Sequence, residues 1–265
     1  MYKYILVDFI EGFSDSLRLN LLLKPINEDP KLKKLIVKIC KYNFLMHFLP
    51  IIFFKFIGSI LKINLMTILD IINYPLNIFS LFFHLLHYFD LVNMMCTNNA
   101  KISKSVSLLD LLSITITMTI YQSVMYITTT LINLVFYERL YLFAILINFF
   151  ILTIYHSFYC FNNLWQFKKI DMTYRIDIHE KLWPYYIGYG ILPTIIYLYS
   201  SNSYIFGIYN LYMTLLISLP FLLKIKYPKN NMNYPPINLT IFSYITSFVF
   251  MISKKILSMV SKVSN

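Results

Sequence analysis

Six apolar stretches, each of a length that lets a helix cross a bilayer, divide this chain. They leave little for a water-soluble fold to be built from. They run over residues 42–61, 71–95, 108–136, 141–163, 183–199 and 204–223. At ~1.5 Å per residue, about 20 residues cross a ~30 Å hydrocarbon layer. Composition agrees: 58% of the residues are hydrophobic and only 13% are charged, against roughly 25% charged in soluble domains. So few polar groups cannot cover a globular surface in water. The sequence therefore predicts an all-α, polytopic helical integral membrane protein with about six membrane segments, plus interfacial or re-entrant helices.

Charge sets the expected orientation. The formal net charge is +11. No nucleic-acid-binding motif accompanies it, so anionic lipid headgroups are the expected partner. With six crossings, lysines and arginines divide 17 to 2 between the two sides. The heavier side holds the N-terminal arm and the 97–107, 164–182 and 224–236 loops, and is expected to be cytosolic. The apolar stretch at 237–253 is then expected to lie in the interface or re-enter, leaving the three lysines of the tail on the same side. Asn238-Leu239-Thr240 has the form of a glycosylation site and on this topology stays unmodified. The expected organisation is a basic cytosolic arm (1–41), one helical membrane domain (42–253) and a basic tail (254–265).

Within the arm, Ile10, Phe13, Leu17 and Leu21 recur at helical spacing, with Glu11, Asp15 and Arg18 between them. This predicts an amphipathic helix on the membrane surface or on the cytosolic ends of the spans. Asp8 and Glu11 interrupt the apolar residues, so the N-terminus does not read as a secretory signal. Pro25 and Pro30 bracket a predicted turn.

Ionisable residues inside membrane segments are functional-site candidates. Lys55 lies in the first stretch, near enough to its end to snorkel. His84, His87 and Asp90 are spaced three apart in the second, and Asp110 enters the third. These five form a candidate intramembrane polar site, without the multi-helix ligand set a metal needs. Cys40, Cys96 and Cys160 show no paired spacing, which argues against a disulfide framework or a zinc site. No phosphate loop, dinucleotide fingerprint, zinc-protease helix or serine elbow occurs. The expectation is no enzyme and no cofactor.

The 164–182 loop is the most structured connection. Asp171/Arg175 and Asp177/Lys181 are four apart, and Tyr174, Ile178 and Leu182 form an apolar stripe. A short amphipathic helix is expected, forming a surface for a cytosolic protein partner. Trp165 and Trp183 flank it as an interfacial aromatic belt. The 183–199 stretch holds Gly188, Gly190 and Pro193, so with 204–223 it is expected to form a broken hairpin that crosses or only dips into the bilayer.

Tyr159-Cys160-Phe161 followed by Trp165, and then Trp183-Pro184-Tyr185-Tyr186-Ile187-Gly188-Tyr189-Gly190, resembles the etoposide-induced protein 2.4 family. More weakly, Tyr74-Pro75-Leu76 through Asp90 is similar to another segment of that family, with His87 in place of its Trp. Phe242-Ser243 to Lys255 is similar to the family's last apolar segment. The resemblance implies a multi-pass protein of the endoplasmic reticulum membrane linked to autophagy, apoptosis and growth control. The wider family is similar to bacterial sulfate permeases. This implies an alternative function, small-anion permeation, that would use Lys55 and the break around Gly188–Pro193.

The topology has a direct test. In sealed membranes, protease added outside should remove tags at both the N- and C-termini. A protected C-terminus would place 237–253 across the bilayer.

Overall fold

The computed structural model describes residues 2–61, 87, 90–91, 94, 123, 127–136, 140–199, 203–223, 233–236 and 251. Regular structure among them is entirely helical. The elements used below are α1 (Tyr2–Leu17), α2 (Leu23–Glu28), α3 (Pro30–Leu61), α4 (Ile127–Phe136), α5 (Tyr141–Phe167), α6 (Met172–Lys181), α7 (Trp183–Leu198) and α8 (Ser203–Ser218). The stretches expected at 71–95, 108–136 and 237–253 lie wholly or largely outside the described residues, as do His84, Asp110 and the 238–240 sequon. Among the described residues, two helices are long and apolar enough to cross a membrane: α3, and α5 over Tyr141–Trp165.

The chain forms two compact units. One contains α1, α4, α5, α6 and α7 as far as Thr194, with residues 233–236. The other contains α2, α3, the end of α7 and α8. The division expected at residue 41 falls inside α3, which runs unbroken from Pro30.

Asp29 and Pro30 explain where α3 starts. Asp29 is extended, and its Oδ1 accepts from the Lys31 and Leu32 amides at 2.8 and 3.3 Å. Those are two of the amides that have no partner within a helix. Pro30 follows at the first helical position, where its missing N–H costs nothing. The expected turn between Pro25 and Pro30 is instead mostly helical, as α2. Pro50 sits inside α3 without ending it.

Leu32, Ile36, Ile39 and Asn43 make one buried stripe on α3, and α3 packs on α8. Asn43 Nδ2 donates to Thr214 Oγ1 at 2.8 Å, and Gly207 of α8 lies against the Phe48 ring. Beyond Asn43, by contrast, α3 turns Phe44, Leu49, Phe53, Phe56 and Ile60 outward.

In the other unit, α7 is the axis. It runs continuously through Gly188, Gly190 and Pro193, so the expected break is corrected. No described glycine has positive φ, and these glycines therefore serve proximity rather than bending. A Cβ on Gly190 would strike the Thr153 carbonyl oxygen of α5. One on Gly188 would strike the Phe9 carbonyl oxygen of α1, and one on Gly12 the Tyr185 carbonyl oxygen. Backbones meet directly because the side chains between them are missing, the small-residue mode of helix association.

Two further bonds hold α1. Tyr185 Oη donates to Asp15 Oδ2 at 2.9 Å, and Tyr234 Oη donates to Asp8 Oδ2 at 2.6 Å. Burial, followed by the bond to Asp8, pushes the Tyr234 phenol up and keeps it a donor. Hydrogen bonds to carboxylates each contribute about 1.5–3 kcal/mol.

Gly188→Ala should therefore destabilise this unit by about 1–3 kcal/mol, the usual cost of overpacking against atoms that cannot turn aside. Thermal unfolding in detergent measures it. An unchanged midpoint would show that α1 can move away freely.

Candidate functional site

The C-terminal half of α5 is buried almost residue by residue: His156, Ser157, Phe158, Cys160, Phe161, Asn162, Leu164 and Trp165. The chain then reverses. Lys169 adopts a left-handed conformation, φ 55°, and the Ile170 amide donates to the Trp165 carbonyl at 2.9 Å. This is a helix-ending motif that usually employs glycine. A lysine there costs roughly 1 kcal/mol or more.

Arg175 holds the reversed chain down. Its Nε donates to the Ile170 carbonyl at 2.6 Å and its Nη1 to Asn162 Oδ1 at 2.8 Å. Burial lowers its pKa to about 10, partly opposed by Asp171, so it is cationic at neutral pH. Here the expected Asp171/Arg175 pairing is corrected in kind. Arg175 directs its donors to α5 and the turn, while exposed Asp171 stands at the N-cap position of α6 without a side-chain capping bond and acts on Arg175 through its charge. The Asp177/Lys181 pair forms at 2.9 Å; half-buried at the surface and screened by solvent, it contributes under about 1 kcal/mol.

The expected stripe on α6 is also shifted. Ile178 and Leu182 are buried, but Tyr174 is 46% exposed. Ile176, Ile178, His179 and Leu182 are buried and Arg175 is half-buried, and Arg175 and His179 both find partners on α5. The His179 ring stacks on Tyr186 of α7, centroids 4.3 Å apart and planes 15° apart. It stands edge-on to Phe158 at 5.6 Å and Trp165 at 6.2 Å. Phe161 completes the cluster against Tyr186 and Tyr189, at 5.1 and 4.8 Å.

Trp165 is thus fully buried in this cluster, which corrects its expected place in an interfacial belt. Trp183 is half-buried and donates from Nε1 to the Pro235 carbonyl at 3.1 Å.

Hydrogen accounting defines the histidines. Ser157 Oγ donates its one proton to the Ile154 carbonyl at 2.9 Å. Its contact with His179 Nε2, 3.0 Å, must therefore carry the histidine's proton. Thr194 Oγ1 likewise donates to the Gly190 carbonyl at 2.7 Å, so His156 Nδ1 donates to it across 2.8 Å. Ser157 and His179 stand at the distance of a nucleophile and its base. Their protons are placed the wrong way round for that chemistry, and both residues are buried. The pair fastens α6 to α5. Burial lowers the His179 pKa to about 3, so the ring is neutral at pH 7.

The structure brings Cys160, Phe161 and Trp165 of α5 together with Tyr185 and Tyr186 of α7. Tyr159 and Trp183 are half-buried beside them, and Pro184, Gly188 and Gly190 are buried. Lys55 is exposed on α3, His87 half-buried and Asp90 exposed. Among the described residues no three His, Cys, Asp or Glu side chains stand where they could hold a metal. His179, Ser157 and Asn162 were not singled out by the sequence. The available signal was His179 lying four residues after Arg175 and three before Leu182, on the face that is buried. In the sequence Asp8 and Asp15 show only as polar interruptions of an apolar stripe.

Among known proteins the chain is similar to "Uncharacterized protein L211" of Acanthamoeba polyphaga mimivirus. The two are 42% identical over 241 residues, an alignment covering 91% of this chain and 92% of that protein. No family model matches the chain. No solved structure matches it either.

The folded His179 value lies below the ordinary 6.5. Between pH 6.5 and about 3, the unfolded chain takes up a proton that the folded chain refuses. Stability should fall as pH drops through that window, by up to about 1.4 kcal/mol per pH unit. Denaturant unfolding followed by tryptophan fluorescence at about pH 7 and pH 5 measures the slope. His179→Phe should reduce it, and an equal slope in both proteins would place the titration elsewhere.

Proposed function

The chain belongs to the same family as the mimivirus protein L211, and on that premise we propose that it is a non-enzymatic, multi-pass helical membrane factor. It presents a rigid cytosolic platform to a protein partner. The observation that carries this reading is the convergence of the Tyr159-Cys160-Phe161…Trp165 and Trp183-Pro184-Tyr185-Tyr186 blocks. Together they form the aromatic seat that holds α6. Buried residues of this kind do not meet a partner themselves. They fix the direction in which α6 points.

The outward side of α6 carries Thr173 and Tyr174, both exposed, with Asp177 and Lys181 half-buried at its edge. That mixture of an aromatic ring and paired charges suits a protein surface, where tyrosine adds apolar area at low entropic cost. The exposed apolar side chains of α3 and α5 support membrane residence. Those of α3 are too many to face water without association.

The proposed arrangement has six crossings, with both termini and the α6 platform on the cytosolic side of the endoplasmic reticulum membrane. The role proposed is the one implied by the etoposide-induced protein 2.4 resemblance, in autophagy and growth control. Small-anion permeation is the weaker alternative, because the break it would use around Gly188–Pro193 is an unbroken helix.

Replacing Tyr174 with Ala and Lys181 with Glu leaves the aromatic seat intact and changes only the outer face. Autophagosome maturation in cells carrying this double variant should slow at unchanged protein level. Normal maturation would count against the platform. Uptake of small anions by reconstituted vesicles, abolished by Lys55→Ala, would favour the permease instead.

A further inference from the structure

Helix α1 is built the wrong way round for a helix that packs onto a protein in water. The most buried positions of its inner face are polar or small, with Ile5, Phe9 and Phe13 half-buried around them: Asp8 bonds Tyr234, Gly12 touches the Tyr185 backbone, Asp15 bonds Tyr185, and Ser16 is fully buried. These positions are spaced four, three and one apart, along one side of the helix. The opposite side carries Tyr2, Leu6, Ile10 and Leu17, exposed by 80, 59, 54 and 53%. Their spacing of four, four and seven also follows one face. Asp8 and Ile10 are two residues apart, about 200° around the axis.

The helix cannot hide that stripe by rolling. Turning Ile10 inward would break both phenol–carboxylate bonds. It would also drive side chains into the space kept open by Gly12 and Gly188, where backbone meets backbone. The apolar face is therefore locked outward by the polar one.

We infer that α1 is a lipid-seated helix, with its Tyr2–Leu6–Ile10–Leu17 face in the bilayer hydrocarbon and Asp8 and Asp15 turned into the protein. Three observations select a bilayer as the occupant. The same unit turns Leu142 and Leu146 of α5 outward, 74 and 66% exposed, and α5 is long and apolar enough to span. Lys3 lies in the first turn and Arg18 directly after the last residue, where cations meet anionic headgroups. The chain's +11 charge suits the same surface. At 16 residues, or ~24 Å, α1 is shorter than a ~30 Å hydrocarbon layer. It lies in the membrane without crossing it. With Asp8 and Asp15 held inside by phenols, no carboxylate of those two opposes entry of the outer face.

This inference rests on the membrane reading above, and the test separates the two. The environment-sensitive dye NBD is attached to a single cysteine at Ile10, Leu146 or Thr173, with Cys40, Cys96 and Cys160 replaced by alanine. The full chain is reconstituted in phosphatidylcholine–phosphatidylserine vesicles with or without doxyl-labelled lipid. The dye at Ile10 and at Leu146 should be blue-shifted and should lose most of its emission to the doxyl lipid. The dye at Thr173 should respond only to an aqueous quencher. Quenching at Leu146 but not at Ile10 would overturn the lipid seat and leave the membrane reading standing. Loss of both would overturn both. Shielding of Ile10 from lipid and aqueous quenchers alike, strengthening with protein-to-lipid ratio, would mean that a second copy covers the stripe, and would also overturn it.

Discussion

Direct contact between main chains is the interaction on which the described core of the first unit depends. Gly190 lets α7 meet the Thr153 carbonyl of α5, and Gly188 lets it meet the Phe9 carbonyl of α1. Helices that approach this closely gain dispersion along their length, and every side chain near the contact is set in depth and angle. Tyr185, Tyr186 and Tyr189 are carried on the same turns of α7 as the two glycines. Their rings reach α1, α6 and α5 because the backbone behind them sits so near its neighbours.

The cluster around Tyr186 follows from that approach. A helix as polar as α6 has little apolar area with which to attach itself. It is held by one stacked histidine, one arginine that reaches back to Asn162, and three buried aliphatic side chains, Ile176, Ile178 and Leu182. The histidine is neutral, so it enters an aromatic environment without the penalty of a buried charge. The arginine stays cationic at the edge, where its donors meet a carbonyl and an amide oxygen. The result is a polar helix with a defined outer face, which a mobile loop would lack.

Much of this was legible in the residues. Helical spacing within 1–17 and 172–181, the apolar length of α3 and α5, and the Asp177/Lys181 pair all follow from period and composition. The Tyr159–Trp165 and Trp183–Gly190 blocks stood out by their resemblance to a known family, which does not say what they do. Trp165 looked like an interfacial ring because it sits beside charges in sequence. It is buried because the chain reverses at Lys169 and brings α6 over it. Gly188, Gly190 and Pro193 looked like helix breakers because that is their local tendency. In α7 packing on both sides outweighs it, and the missing side chains become the means of contact.

What the sequence by itself determined is the all-helical class, the apolar lengths within α3 and α5, and the existence of two unlike faces on α1 and α6. What only the tertiary structure decided is which face turns inward. In water that choice follows from the hydrophobic effect, which sends the apolar side to the core. In the proposed bilayer the surroundings are as apolar as leucine, and the preference disappears. The inner face is then chosen by what needs a partner: the carboxylates of Asp8 and Asp15, the imidazole of His179, the guanidinium of Arg175. Those partners, Tyr234, Tyr185, Ser157 and Asn162, lie far along the chain or on another helix, and no local pattern points to them.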